Sequence, residues 1–111
     1  MDRERLRVML VRMETALAET RANLVRVEHG LSNRAEAETI RRRPKKRHYH
    51  RRMTRWTGAD ETAYRRVLDE MLSVTGPEIE RLRRRIARQD AAIEALRRKY
   101  GVNAERPRFF S

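Results

Sequence analysis

The chain has no cysteine, few aromatic residues and no long apolar run. Aromatic residues make up 5% of its 111 residues, and hydrophobic residues make up 39%. Without Cys, disulfides and thiolate metal sites are excluded. Without an apolar run of about eighteen residues, a membrane-spanning helix is excluded as well. Such a composition favours a thin core, such as the seam between long helices, over a thick globular one.

Charged residues, in contrast, are abundant, and basic residues outnumber acidic ones. They make up 40% of the chain, and the formal net charge is +12. An excess of this size in a small protein points to a polyanionic partner: DNA, RNA or, less often, an anionic membrane surface. We expect a soluble intracellular protein, in the cytoplasm or nucleoid, or one held within a nucleoprotein particle.

The positive charge is concentrated in residues 41–56, which we call the basic arm. Nine of these sixteen residues are Lys or Arg, and none is acidic. Helix connections usually have two to eight residues, so the length favours binding over simple connection. Arg and Lys neutralise phosphates, and the His, Tyr and Trp side chains stack on bases. The predicted nucleic-acid contacts are Arg41, Arg42, Arg43, Lys45, Lys46, Arg47, His48, Tyr49, Arg51, Arg52, Arg55 and Trp56.

The stretch before the arm carries a heptad pattern typical of coiled-coil packing. Two interpretations of Gly30 are open. Gly30 followed by Leu31 resembles a left-handed helix stop, yet Leu31 also continues the heptad. Pro44 disfavours helix at Arg43. The seam residues are Leu6, Leu10, Met13, Leu17, Thr20, Leu24, Val27 and Leu31.

The stretch after the arm is also helical in pattern. Thr57 is the predicted N-cap, and Asp60 lies in the first turn, where acidic groups complement the helix dipole. Gly76-Pro77 predicts either a break or a kink, and Gly101 predicts the helix end. The apolar seam of the last helical stretch contains Ile79, Leu82, Ile86, Gln89, Ile93, Leu96 and Tyr100.

Together these patterns predict an all-α protein: an antiparallel, coiled-coil-like helical hairpin of three to four helical segments with a protruding basic arm. The first helical arm covers residues 1–42, with a break considered at Gly30. The basic extended loop covers 43–56, the second helical arm 57–101, and the C-terminal tail 102–111. Thr20 and Gln89 are polar members of the seams, where such residues fix register at some cost in stability.

Other candidate sites are weaker. Arg81, Arg84, Arg85 and Arg88 form a second basic face at helical spacing, which is either a solvated surface or an extension of the arm. His48 and His50 lie among positive charges, which disfavours a metal. We see no catalytic constellation, no cofactor motif and no metal site, so we expect a non-enzymatic protein.

A helical body with an Arg-rich extension resembles the small basic proteins of large nucleoprotein particles, such as ribosomal proteins and bacteriophage structural proteins. The first hypothesis is a nucleic-acid-binding protein whose arm contacts phosphates with little sequence preference. The alternative is a structural subunit or assembly factor of a large complex, in which the basic arm and the tail residues Phe109 and Phe110 contact neighbouring subunits. The heptad seams also permit homo-oligomers. An anionic membrane surface is the third option.

Overall fold

The computed structural model describes residues 2–44 and 55–101, and these residues form two α-helices. Helix α1 spans Arg3–Arg41 and helix α2 spans Gly58–Tyr100. The two helices pack antiparallel, and the described residues contain no strand. The predicted all-α hairpin is therefore confirmed. Most of the basic arm, residues 45–54, and the tail from residue 102 onward lie outside the described residues.

Local side-chain and backbone signals set the helix ends. Asp2 precedes α1, and its Oδ1 accepts a hydrogen bond of 2.8 Å from the backbone N–H of Arg5, which satisfies a first-turn donor. At the other end of the chain, Gly101 follows α2 with φ +68°. A left-handed residue closes a helix, and Gly adopts this conformation at little cost. The predicted stop at Gly101 is confirmed.

The break considered at Gly30 does not occur, because α1 continues through it. A glycine within a helix costs about 1 kcal/mol relative to Ala. On the far side of Gly30, the helix buries Leu31, Ala35 and Thr39. Burial of a Leu side chain alone contributes about 2 kcal/mol, which exceeds the glycine penalty.

Helix α2 likewise continues through Gly76-Pro77, so of the two alternatives considered there, a break or a kink, the break does not occur. Pro77 has no N–H to donate to the carbonyl of Ser73. Both Ser73 and Pro77 are exposed, which leaves that carbonyl open to water. Ile79, immediately beyond Pro77, is buried. Its burial favours continuing the helix over ending it.

The described residues fall into two compact units, which share the two helices. The first unit contains residues 2–24 and 81–101, and the second contains residues 25–44 and 55–80. In the first unit, Leu6, Leu10, Leu17 and Ile93 form the buried core, flanked by partly buried Met13, Ile86 and Leu96. The predicted seams of both helices therefore meet within one chain.

The buried side chains of the second unit are smaller and more polar. The fully buried residues include Val67 on α2 and Thr39 on α1. Thr39 Oγ1 donates a hydrogen bond of 2.7 Å to the carbonyl of Ala35, which satisfies the hydroxyl inside its own helix. The other buried apolar residues of this unit are Leu31, Ala35 and Ile79.

The two polar seam residues of the first unit differ in how their polar groups are satisfied. Thr20 is buried, and its hydroxyl donates to the carbonyl of Ala16 over 3.0 Å. Gln89 Oε1 is buried and has no hydrogen-bond partner. An unpaired buried acceptor destabilises the folded state, whereas a paired one is close to neutral.

Replacing Gln89 with Leu is therefore expected to raise the free energy of unfolding by about 1–2 kcal/mol, since it removes an unpaired amide and keeps the side-chain size. Chemical denaturation followed by circular dichroism measures the change. Thr20→Val is the matched control, and we expect it to change stability by less than about 0.5 kcal/mol because the Thr20 hydroxyl is already paired. A Gln89→Leu protein less stable than the parent contradicts this account.

Candidate nucleic-acid interface

The described residues on either side of residues 45–54 form a compact network at the base of the basic arm. This network begins with the cap of α2. The hydroxyl oxygen of Thr57 accepts a hydrogen bond of 3.2 Å from the backbone N–H of Asp60. In return, Asp60 Oδ2 accepts from the backbone N–H of Thr57 at 2.9 Å and from its hydroxyl at 3.1 Å. This is a reciprocal capping box with Asp at the third helical position, so the predicted cap at Thr57 is confirmed.

Asp60 also binds Arg43, which follows the end of α1. Arg43 Nε donates to Asp60 Oδ1 and Arg43 Nη2 donates to Asp60 Oδ2, each over 3.0 Å. The arrangement is bidentate, the geometry in which a guanidinium binds a carboxylate most strongly. The side chains of Arg43 and Asp60 are 11% and 4% exposed, respectively. We call Arg43, Thr57 and Asp60 the clamp.

The clamp shifts the titration of its carboxylate. The hydrogen bonds from Arg43, together with those from the Thr57 backbone and hydroxyl, lower the pKa of Asp60 to about 2 against the opposing effect of burial. Hydrogen bonds to the charged form stabilise that form. Asp60 is therefore ionised throughout the neutral range, and the clamp is an ion pair.

Arg43 also connects the two ends of the arm. Its Nη2 lies 3.5 Å from the backbone carbonyl oxygen of Arg55. Residues 43 and 55 are therefore neighbours in space, and the chain between them begins and ends at one place. Such closure fixes where the intervening positive charges are attached to the helical body.

Trp56 is held by contacts to α2. Its indole Nε1 donates to Glu61 Oε2 over 3.0 Å, and its ring meets that of Tyr64 edge to face, with centroids 6.0 Å apart. The Tyr64 hydroxyl is 2.9 Å from Ser32 Oγ on α1. Trp56 is still 38% exposed, so part of its indole is open to a stacking partner even though its polar edge is occupied.

Arg41 and Arg42 share an acidic partner. Both hydrogen-bond to Glu38, and Arg42 Nη1 also reaches Glu70 Oε2 at 3.2 Å. The hydrogen bonds from Arg41 and then Arg42 lower the pKa of Glu38 to about 2. The side chains of Arg41 and Arg42 are well exposed. Exposed ion pairs of this kind contribute little to stability.

The structure thus divides the predicted contact residues into groups. Arg43 is mostly covered in the clamp, Trp56 packs on α2, and Arg41 and Arg42 are paired but exposed. The backbone of Arg55 contacts Arg43, and its side chain is exposed. The predicted contacts at Lys45, Lys46, Arg47, His48, Tyr49, Arg51 and Arg52 lie outside the described residues, as do Phe109 and Phe110.

The second basic face lies on α2 in the first unit, whereas the clamp belongs to the second. Arg81, Arg84, Arg85 and Arg88 are all exposed. Their spacing of three and four residues places them on one side of the helix. The part of this basic face in binding stays a prediction.

Within the described ranges, neither helix has the length and apolar character needed to cross a membrane. The same residues contain no group of three or more His, Cys, Asp or Glu side chains placed to hold a metal ion. The chain matches no protein-family model, no curated protein and no solved structure.

Proposed function

We propose that this protein is a non-enzymatic nucleic-acid-binding protein whose basic arm contacts phosphates with little sequence preference. The observation that supports the proposal is the contact between Arg43 and the Arg55 carbonyl, which brings the two ends of the arm together on the helical body. Between these ends the sequence carries five Lys or Arg residues, and Arg55 adds a sixth; none of the residues from 44 to 55 is acidic. A polyanion is the partner that such a concentration of charge attracts.

In this proposal the clamp keeps the fold stable while the other cations of the arm bind phosphates. Arg43 satisfies Asp60 inside the protein, so this carboxylate does not compete with phosphates for the other cations. Fixing both ends of a binding segment reduces the conformational entropy that binding must remove. Contacts to phosphate carry no sequence information, which accounts for the expected lack of preference.

The test removes six of the nine arm charges and leaves the clamp intact. The variant replaces Lys45, Lys46, Arg47, Arg51, Arg52 and Arg55 with Gln. Fluorescence anisotropy with random-sequence DNA and RNA, single-stranded and duplex, measures binding over a range of salt concentrations. With about six phosphate contacts, the slope of log affinity against log salt is near −5 for duplex DNA, and we expect the variant to lose most of it. At 0.1 M salt its affinity should fall by at least about 100-fold.

A matched control removes the same number of positive charges from exposed helix positions. It replaces Arg7, Arg26, Arg34, Arg66, Arg98 and Lys99 with Gln, so both variants lose six charges from the net +12. We expect the control to keep most of the salt slope. Equal losses in the two variants would show that only net charge matters and would contradict the proposal. A third variant, with Arg81, Arg84, Arg85 and Arg88 replaced by Gln, measures whether the second basic face extends the contact.

A further inference from the structure

Helix α1 carries a second stripe, on the side opposite its buried seam. Within the first unit this outer stripe consists of Val8, Val11, Thr15, Ala18 and Ala22, with steps of three and four residues. All five are exposed; Val8 is 43% exposed and Val11 is 61% exposed. The outward face of a helix in a two-helix protein is normally charged. Here it carries no charge, which is the pattern of a surface that packs against another helix.

A surface hollow borders the beginning of this stripe. It has a volume of about 460 Å³, and Val8 and Met9 provide its apolar surface. Both residues are among the exposed large hydrophobic side chains of the protein. Met9 adds apolar surface near the stripe, and the other three residues that line the hollow are charged: Glu4, Arg5 and Arg12.

The charges beside the outer stripe are not arranged to stabilise their own helix. Arg12 and Glu19 lie on one side of it, and Glu14 and Arg21 lie on the other. Opposite charges stabilise a helix when they are three or four residues apart. None of these four residues has an opposite charge three or four residues away. On each side of the stripe, the sign of the charge instead changes after seven residues. Charges that alternate every seven residues can form ion pairs with the flanking charges of a neighbouring helix.

Helix α2 accounts for only part of this pattern. Arg97 on α2 forms an ion pair with Glu14, yet the Glu14 side chain is still 45% exposed. Arg12, Glu19 and Arg21 are exposed as well. An additional helix lying on the outer stripe would therefore meet charges on both of its sides.

We propose that two copies of this chain pair antiparallel through the outer stripe of α1. In the register that we infer, Val11 packs against Ala22 of the second copy, and Thr15 packs against Ala18. In an antiparallel pair, the residues that flank the stripe lie beside residues of the same heptad position on the other helix. In this register Glu14 lies beside Arg21 of the second copy and Arg12 lies beside Glu19, and the two-fold axis repeats each pair. The small side chains of Ala18 and Ala22 allow the helices to approach closely.

The same charges oppose the other arrangements. A parallel pair places Arg7 beside Arg12 and Glu14 beside Glu19, so like charges meet on both sides. Shifting the antiparallel register by one heptad places Glu14 beside Glu14 and Arg12 beside Arg12 of the second copy. The opposite shift pairs Arg21 with Arg21 and Glu19 with Glu19. Of these arrangements, only the proposed register places opposite charges together at both Glu14–Arg21 and Arg12–Glu19, and like-charge contacts at these positions disfavour the alternatives.

Sedimentation equilibrium of the full chain without nucleic acid tests the pairing. The stripe is narrow, so we expect a weak dimer with a dissociation constant above about 1 µM, measured at protein concentrations up to about 1 mM. Ala18→Glu places a charge in the centre of the stripe and should raise the dissociation constant at least about tenfold. Ala91→Glu, at an exposed position of α2, is the matched control and should leave it unchanged. A parent chain that stays monomeric, or equal effects of the two variants, overturns the proposal.

Charge reversal tests the register. Arg12→Glu places two acidic residues beside each other in the proposed dimer, and Glu19→Arg places two basic residues together. Each single change should weaken association, and the double change should restore it because it reverses the pair. Independent effects that simply add would show that Arg12 and Glu19 do not meet.

Cross-linking tests the orientation, since the chain has no natural Cys. Thr15→Cys and Ala18→Cys proteins are oxidised separately and as a mixture. The antiparallel register predicts that the mixed disulfide forms fastest, because position 15 lies opposite position 18 of the second copy. A parallel dimer would instead favour the disulfide between identical positions, and that result would overturn the antiparallel arrangement.

Discussion

Replacing Arg43 with Ala is expected to lower the free energy of unfolding by about 3 kcal/mol. The change leaves Asp60 buried, at 4% exposure, without its bidentate partner. Removing one member of a buried ion pair is strongly destabilising, because the remaining carboxylate has lost its solvation and keeps only the hydrogen bonds from Thr57. Urea denaturation of the purified variant measures the loss.

Arg41 provides a control two residues away. It pairs with Glu38, and its side chain is 72% exposed. Exposed pairs contribute less than about 1 kcal/mol, so Arg41→Ala should cost far less than Arg43→Ala. If the two variants lose the same stability, the clamp has no special role. A cycle with Asp60→Ala gives the coupling energy of the pair, which we expect to be about 1–3 kcal/mol.

Acid provides an independent check of the clamp. The pKa of Asp60 is lowered from its ordinary value of 3.8 to about 2 in the folded protein. The stabilisation is therefore fully present above pH 4 and is lost as the pH falls from about 4 to about 2. A shift of this size corresponds to about 2 kcal/mol. An Asp60→Asn protein should lose less stability over this range, while Glu38 continues to titrate there.

Replacing Pro77 with Ala is expected to raise the free energy of unfolding by about 2–3 kcal/mol. Pro77 lies inside α2, where it removes one backbone hydrogen bond and its ring crowds the preceding turn. The site is exposed, and neighbouring Val74 is 80% exposed, so Ala leaves no cavity. Thermal and urea unfolding of the variant measure the gain. A less stable variant would contradict this account and show that Pro77 favours the packing of α2.

Gly76 gives this prediction a second, non-additive test. A side chain on the residue before Pro clashes with the ring in the helical conformation, and Gly avoids that clash. Gly76→Ala alone should therefore bring no gain, whereas in the Pro77→Ala background it should add about 1 kcal/mol. Gly30→Ala is the control, since no Pro follows and the added Cβ meets only Arg34 Nη1, at 3.4 Å.

The parts of the fold that depend on local signals could be predicted from the sequence. The heptad pattern gives the helices and their buried faces, the Thr57 and Asp60 spacing gives the start of α2, and Gly101 gives its end. Gly30 and Gly76-Pro77 carry the same kind of local signal, yet the helices continue. Burial of Leu31 and other residues in the second unit outweighs penalties of about 1–3 kcal/mol, and that burial depends on residues distant in sequence.

The roles of the residues in the candidate interface could likewise be predicted only in part from the sequence. The positive charge of the basic arm is evident from composition, but composition does not separate a cation that binds a partner from one that closes the fold. Arg43 belongs to the second kind because Asp60 lies across the hairpin. The sequence did contain a signal for this pair. In an antiparallel hairpin that pairs positions whose numbers add to about 100, Arg43 lies within one turn of Asp60.

The clamp also has a consequence for how the protein folds. Arg43 and Asp60 are 17 residues apart in sequence, whereas Ser32 and Tyr64 are 32 apart. Each doubling of a loop costs about 0.6 kcal/mol more in chain entropy. Closing the chain at the clamp therefore costs less chain entropy than closing it at Ser32 and Tyr64. We expect the two helices to associate first at the clamp and then progressively along their length. If so, Arg43→Ala slows refolding more than it speeds unfolding.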